Sequence, residues 1–200
     1  MTKGKFIVFE GIDGAGKSTQ IALLQAALEK MGYTVHQTAE PTDLDTGKML
    51  RASLAGKQER SAYEMATLFT LDRIAHNKEI DAALAKGEIV ICDRYYYSSL
   101  AYQGSLCDYE WVKRMNVDCP EIRRPDLCIF LDLSPKDAIA RIRARGEATE
   151  IYEKEETLSL FRDTFHRVFA SLEDRVAIVN AAPAPEEIGA EVLAAVQKIL

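Results

Sequence analysis

The sequence predicts an α/β fold, a three-layer sandwich in which a five-stranded parallel sheet is flanked by helices. Two observations support this. Short apolar runs alternate with longer segments of helical period, in the order β-α-β-α-α-β-α-β-α-α-β-α, which is typical of parallel sheets with right-handed crossovers. A glycine-rich turn also joins the first strand-like run to the first helical segment.

That turn fits the phosphate-loop pattern G-x-x-x-x-G-K-[ST] and lies between an apolar strand, 6–9, and a helix that stops at Gly32. Its glycines let backbone N–H groups curl around phosphate oxygens, and the helix N-terminus adds its positive dipole end. The fold is therefore expected to be of the P-loop NTPase type. Lys17 should reach the β- and γ-phosphates of a bound nucleotide, and the Ser18 hydroxyl should bind Mg²⁺. The predicted phosphate-loop residues that bind this nucleotide are Gly11, Ile12, Asp13, Gly14, Ala15, Gly16, Lys17, Ser18 and Thr19.

The second strand-like run, 33–38, is followed by Glu40 and Pro41. Proline ends the strand, so Glu40 is expected at a carboxyl end of the sheet, where open α/β sheets bind ligands. A binding carboxylate and a solvated loop acid are equally good interpretations of Glu40. A short helix is expected over 46–55.

A long helix is predicted from Ser61, where Ser61 and Glu64 form a capping-box pattern, to Gly87. Within it, Phe69 and Arg73 are four residues apart and share one face. A planar heterocycle suits this pair, because it can stack on the ring while its edge accepts hydrogen bonds from the guanidinium. Ordinary surface packing is the alternative.

The third strand, 88–92, is followed by Asp93 and Arg94. A carboxylate there can hold the water shell of a magnesium ion or orient an acceptor, and Arg94 can bind a phosphate through two hydrogen bonds. Asp132, at the end of the fourth strand, is a rival for the metal role and ranks lower because no arginine accompanies it. The segment 95–104 is dense in tyrosine and serine, which suits hydrogen bonding to a sugar and a base.

The helix that begins at Pro135 carries Arg141, Arg143 and Arg145 just before a polar segment without periodicity. This stretch, about 141–153, is expected to form a small arginine-bearing lid that closes over phosphates. Arg141 is interpreted instead as a solvated helix end. Arg143 and Arg145 would point roughly 200° apart on a helix, so only one is expected to face the phosphates. Arg145 is favoured, and Arg143 is the alternative.

Composition bounds the class of protein. The net charge of −6 argues against a non-specific nucleic-acid binder, which needs a basic face. No segment approaches the roughly 20 apolar residues of a membrane-spanning helix, and the N-terminus runs directly into the first strand, which leaves no room for a signal peptide. The four cysteines form no C-x-x-C pair, so free thiols in a reducing cytoplasm are expected. Residues 1–200 are expected to form one domain with the lid inserted.

Motifs along nearly the whole chain resemble those of the thymidylate kinase family. The sharpest is Asp93-Arg94-Tyr95 followed by the run Ser-Ser-Leu-Ala-Tyr-Gln-Gly over 98–104, whereas the phosphate loop by itself is unspecific. The other matching motifs are the phosphate loop with Asp13 inside it, Glu40-Pro41, Leu68-Phe69 with Asp72-Arg73, and Tyr152-Glu153 in the lid. The resemblance implies transfer of the γ-phosphoryl group of ATP to dTMP, giving dTDP, with Mg²⁺ and in a homodimer.

The resemblance also implies roles for single residues. Thymine would stack on Phe69 with its exocyclic oxygen on Arg73, and Arg94 would hold the dTMP phosphate. Tyr102 would close off the 2′ position and favour a deoxyribose, and Asp13 would act near the sugar and phosphate. The residues implied for dTMP are Asp13, Glu40, Phe69, Arg73, Arg94, Ser98, Ser99, Tyr102, Gln103 and Tyr152.

The source of the catalytic arginine differs between variants of the family. Gly14 and Ala15 occupy the places where one variant carries it in the phosphate loop, so the resemblance implies an arginine from the lid, as in bacterial-type enzymes. This sequence departs from the family pattern at Ala39, where an arginine often precedes Glu-Pro, and in having Thr-Asp instead of Gly-Gly after the proline. The implied catalytic residues are Lys17, Asp93, Arg94, Arg143 and Arg145, with Ser18 and Asp93 at the metal.

Two other functions are weighed against this one. A deoxynucleoside kinase would need a general base at the 5′ hydroxyl, and an arginine that fixes an acceptor phosphate would be out of place in it. A guanine-nucleotide switch would need the signature N-K-x-D, but Asn77-Lys78 is followed by Glu79 and Ile80.

Overall fold

The structure is a computed structural model that describes residues 4–145 and 155–200. Its described residues form a five-stranded sheet in which all pairings are parallel. The strands are β1 (Lys5–Glu10), β2 (Val35–Ala39), β3 (Ile89–Asp93), β4 (Leu127–Asp132) and β5 (Val176–Asn180). Their order across the sheet is β2-β3-β1-β4-β5, which confirms the predicted parallel sheet.

Strand β1 lies at the centre, since Ile7 pairs with Ile91 of β3 on one side and with Leu127 of β4 on the other. Its apolar residues are fully buried, as a continuous apolar run requires when both faces are covered. Because all strands run in one direction, their carboxyl ends meet at one edge. Glu10 and Asp93 therefore end two neighbouring strands at the edge where such sheets bind ligands.

Two connected groups of helices cover the sheet. In one group α1 packs against α8, and in the other α3, α4, α5 and α7 pack together. This arrangement confirms the predicted sandwich. The helices are α1 (Lys17–Lys30), α2 (Asp45–Leu54), α3 (Ala62–Ala85), α4 (Tyr96–Tyr102), α5 (Tyr109–Val117), α6 (Pro135–Arg145), α7 (Glu155–Ala170) and α8 (Pro185–Gln197).

The predicted start of the long helix is confirmed by its hydrogen bonds. Ser61 Oγ accepts from the backbone N–H of Glu64 at 3.2 Å, and Glu64 Oε2 accepts from the N–H of Ser61 at 2.7 Å. Both bonds of the capping box are thus present, and α3 begins directly after Ser61.

The expected helix order is wrong between β3 and β4. One helix was expected there, but the chain forms α4, a short 3-10 turn over 103–105, and α5. Helix α5 begins at an ordinary cap, since Asp108 Oδ1 accepts from the N–H of Trp111 at 2.7 Å. That cap is the sequence signal that identifies α5.

All four cysteines are free, and burial raises the pKa of the Cys92 and Cys128 thiols well above the ordinary value. Within 4–145 and 155–200, none of the helices has the length and apolar character needed to cross a membrane.

Candidate active site

The phosphate loop joins β1 to α1, and two of its glycines adopt backbone conformations that other residues rarely reach. Gly14 has φ of +82°, and a Cβ there would lie 2.6 Å from the carbonyl oxygen of Ala138 on α6. Gly16 has φ of +93° and is the N-cap of α1, which no side chain of the described residues caps. The first turn of α1 therefore keeps N–H groups for an anion.

Lys17 lies in that first turn, with Nζ donating to the carbonyl oxygen of Gly11 at 3.2 Å. Its side chain is buried, and burial lowers the pKa of Lys17. Arg94 lowers this pKa further, whereas Asp93 and Asp13 raise it. A buried cation beside uncapped helical N–H groups is suited to bind the phosphates of a nucleotide.

After β3 the chain turns sharply at Arg94, whose φ of +67° is unique among the non-glycine residues that the structure describes. Its N–H donates to the carbonyl oxygen of Phe9 at 2.9 Å, and the N–H of Tyr95 donates to Glu10 Oε1 at 2.9 Å. Left-handed backbone at such residues costs on the order of 1–3 kcal/mol and is concentrated at functional sites. The turn brings the guanidinium to the phosphate loop, where Nη2 donates to Asp13 Oδ1 at 2.5 Å.

Asp93 and Ser18 fit a magnesium ion. Asp93 Oδ1 is buried and has no hydrogen-bond partner among the described residues. Ser18 is exposed in the first turn of α1. Magnesium in phosphate-transfer sites takes one or two protein oxygens and completes its shell with phosphates and water, so these two side chains are sufficient donors.

The rival carboxylate, Asp132, is already paired. Arg162 of α7 donates to its two oxygens at 2.5 and 2.8 Å, and these bonds lower the pKa of Asp132. Asp93 therefore remains the better metal candidate. The reason given from sequence is wrong, however, because an arginine does accompany Asp132, thirty residues away in the chain.

A cavity of about 310 Å³ opens beside the phosphate loop. At one part of its wall α3 contributes Phe69 and Arg73, and at another the loop and the turn after β3 contribute Asp13 and Arg94. Nine of the ten residues predicted for the acceptor line this cavity. They are Asp13, Glu40, Phe69, Arg73, Arg94, Ser98, Ser99, Tyr102 and Gln103.

Arg73 is buried and held by several partners. Its Nε and Nη2 donate to Glu40 Oε2 at 2.9 and 2.6 Å, and its Nη1 donates to Ser99 Oγ at 3.2 Å and to Asn116 Oδ1. The other oxygen of Glu40 bonds to His76 Nδ1 at 3.1 Å. Glu40 is therefore a buried acid that orients Arg73. The alternative of a solvated loop acid is wrong, as is that of surface packing for Arg73.

The tyrosines that follow Arg94 are core residues, and only Tyr95 of the first three lines the cavity. Tyr95, Tyr96 and Tyr97 are fully buried. The hydroxyls of Tyr96 and Tyr97 donate to Asp174 at 2.5 and 2.9 Å. The expectation that the whole segment bonds a sugar and base is wrong for Tyr96 and Tyr97, which do not line the cavity.

The lid is described only at its base. Arg143 is exposed on α6, and Arg145 ends that helix, but the side chain of Arg145 and residues 146–154, including Tyr152, lie outside the described part of the chain. The choice between Arg143 and Arg145 therefore stays a prediction, as does the role of Tyr152.

Arg141 is not a solvated helix end. Its Nη2 donates to the carbonyl oxygen of Ala181 at 2.9 Å, and a Cβ on Gly16 would lie 3.8 Å from its Nη1. Arg141 thus joins α6 to the segment after β5, beside the phosphate loop. The sequence could not show this contact, because Ala181 is forty residues away.

Arg51 and Glu10 are two further residues of the site that sequence reasoning missed. Arg51 of α2 lines the cavity and donates to the carbonyl oxygen of Pro41 at 2.9 Å. Fully buried Glu10 accepts from the N–H of Tyr95 and, at 2.7 Å, from Ser98 Oγ. Burial raises the pKa of Glu10 to about 7, although Arg94 and these hydrogen bonds lower it. An acid at the end of a buried apolar strand, directly before the phosphate loop, is the signal that could have identified Glu10.

The fold and the site together define a class of protein. In the described part of the chain, no side chain caps the helix after the phosphate loop, so this loop and its buried lysine are suited to bind a nucleotide. Among the same residues, one oxygen of the carboxylate at the end of the neighbouring strand has no hydrogen-bond partner. The adjoining cavity is lined by aromatic rings, among them Phe69, and by the three guanidinium groups of Arg51, Arg73 and Arg94. This is the site of a phosphate-loop kinase that acts on a small acceptor.

Comparison with known proteins identifies the family. The model of the thymidylate kinase family matches residues 9–192. A probable thymidylate kinase of Pyrococcus horikoshii is 41% identical over 202 residues, with 98% of this chain and 97% of the relative covered. A thymidylate kinase of Solidesulfovibrio magneticus is 37% identical over 208 residues, with 98% of this chain and 100% of the relative covered. The chain belongs to the thymidylate kinase family.

Proposed function

We propose that the protein transfers the γ-phosphoryl group of ATP to the phosphate of dTMP, giving ADP and dTDP, with Mg²⁺, which Ser18 and Asp93 would hold. Family membership supports ATP as the donor and dTMP as the acceptor. The observation that carries the assignment is the cavity, which has a place for a planar base at Phe69 and a cation for a phosphate at Arg94.

The acceptor lies along the cavity in this proposal. Thymine stacks on Phe69, and Arg73 donates to its exocyclic oxygen. Arg94 holds the phosphate. The hydrogen bond from Arg94 to Asp13 keeps the guanidinium at the phosphate loop, where this phosphate binds. Tyr102 lies under Arg94, with the guanidinium carbon 5.5 Å from the ring centroid, and closes the cavity around the sugar.

The donor lies on the phosphate loop. Lys17 and the N–H groups of the first turn of α1 bind its β- and γ-phosphates, while Ser18 and Asp93 hold Mg²⁺. When bound, the ion neutralises charge that develops on the phosphate oxygens. An oxygen of the dTMP phosphate forms the new bond to the γ-phosphorus, and the bond to the bridging oxygen of ADP breaks. Because the attacking phosphate is already ionised, no side chain has to remove a proton.

The assembly and compartment are also proposals. Tyr63 and Leu71 are large apolar side chains on α3 that are about half exposed, at 51% and 49%, and they support a homodimer through this helix. Free cysteines support a reducing cytoplasm. The acidic net charge supports the proposal that the protein binds small-molecule substrates and does not bind nucleic acid. Light scattering should give about twice the chain mass of 22.3 kDa.

A coupled assay with ATP across four acceptors tests the proposal. We expect dTMP to be the best substrate, dCMP to be poor, and thymidine to give no product. Equal use of thymidine and dTMP would overturn the assignment of Arg94 to an acceptor phosphate, and equal use of dCMP would overturn base recognition by Arg73. The fourth acceptor, dUMP, has the same exocyclic oxygen and should be used.

A further inference from the structure

The guanidinium of Arg73 has nearly all of its hydrogen bonds fixed by the protein. An arginine side chain has five N–H donors. Two of them go to Glu40, one to Ser99 and one to Asn116. One N–H, on Nη2, has no partner in the described part of the chain. Arg73 lines the cavity, so this remaining N–H is the donor available to a base.

Asn116 fixes one end of this guanidinium from a different helix. It lies on α5 and is fully buried. Its Nδ2 donates to the carbonyl oxygen of Val112 at 2.8 Å. A carbonyl oxygen can only accept, so this bond determines which way the amide faces: the nitrogen points to Val112 and Oδ1 points to Arg73.

We propose that Asn116 is a positioning residue that keeps the N–H of Arg73 that has no partner in the described part of the chain directed towards position 4 of the base, and thereby sets the preference for thymine over cytosine. The inference rests on the proposed function. Glu40 binds Nε and Nη2, and Ser99 and Asn116 bind Nη1. Without Asn116, an N–H of Nη1 loses its acceptor in a buried site, and a buried unpaired donor is costly. The guanidinium then tilts or binds another acceptor. Arg73 would therefore no longer present one fixed N–H donor to position 4 of the base.

Three variants at this position separate selectivity from stability. Asn116→Leu and Asn116→Val remove the acceptor. Asn116→Asp keeps an acceptor for Arg73 but places its second oxygen against the carbonyl oxygen of Val112, so this variant should be less stable and still selective. Asn77→Leu is the matched control, because Asn77 is also buried and bonds the backbone oxygen of Arg73 at 2.7 Å but not its guanidinium.

The measurements are melting temperature and steady-state kcat and KM for dTMP and dCMP. For the two apolar variants we expect the ratio of kcat/KM for dTMP to that for dCMP to fall about tenfold or more, mainly through a higher KM for dTMP. For Asn116→Asp and Asn77→Leu we expect the ratio to stay within about threefold of the unmutated value.

Several results would overturn the inference. An unchanged ratio in a folded apolar variant does so, and so does an equally large loss in Asn116→Asp or Asn77→Leu. If neither apolar variant folds, Asn116→Ala takes their place, because alanine also removes the acceptor: a ratio that falls supports the role, and an unchanged ratio refutes it. Failure of the unmutated protein to use dTMP refutes the proposed function itself. This result differs from those that refute only the role of Asn116.

Discussion

Replacing Glu10 by glutamine is expected to remove a difference in stability between acidic and neutral pH. Glu10 is fully buried, and burial raises its pKa from the ordinary 4.5 to about 7. Between these two values the folded protein keeps the proton and the unfolded chain releases it. The free energy of unfolding therefore falls as the pH rises. At about 1.4 kcal/mol for each pKa unit, the complete effect is about 3 kcal/mol.

Glutamine is a suitable replacement because it cannot ionise and still offers an oxygen to the N–H groups of Tyr95 and Ser98. Urea unfolding, followed by the fluorescence of Trp111, should be measured at pH 5 and at pH 8 for both proteins. Between pH 5 and pH 8 the free energy of unfolding of the unmutated protein should fall by about 2–3 kcal/mol more than that of Glu10→Gln. Every other titrating group is common to the two proteins, so their contributions cancel. If the two proteins change in parallel with pH, the reasoning about Glu10 is refuted.

Three further predictions concern catalysis. Lys17→Ala should fold normally and lose at least about a hundredfold in kcat, because charge on the transferring group is no longer neutralised; near-normal turnover would contradict the nucleotide site. Tyr102→Ala should narrow the preference for deoxyribose over ribose acceptors in parallel assays, and an unchanged ratio would place sugar selectivity elsewhere. One of Arg143→Ala and Arg145→Ala should lower kcat by ~10³ or more at saturating ATP and dTMP while the other has a mild effect. Two mild effects would show that the transition-state cation is not in this lid.

Local sequence patterns are sufficient to predict the phosphate loop and several ends of strands and helices. The phosphate loop and the strand before it follow from glycine spacing and a continuous apolar run, and the start of α3 follows from two residues of a capping box. The placement of Asp93 and Arg94 at a strand end was also a local inference. These features depend on neighbours within a few residues, which a sequence shows directly.

Contacts between distant segments could not be predicted in the same way. Arg162 reaches Asp132 across thirty residues, and Arg141 reaches Ala181 across forty. The tyrosines after Arg94 share a polar composition with binding segments, but an acid far along the chain, Asp174, binds two of their hydroxyls in the core. Composition cannot distinguish a hydroxyl that meets a ligand from one that meets a buried carboxylate.

The central claim is most directly tested by following the γ-phosphoryl group itself. The protein should be incubated with ATP labelled at the γ-phosphate, Mg²⁺ and dTMP, and the products separated by anion exchange. The label is expected to appear in dTDP, with one ADP formed for each dTDP. Label released as inorganic phosphate, or transferred to thymidine when thymidine replaces dTMP, would contradict it.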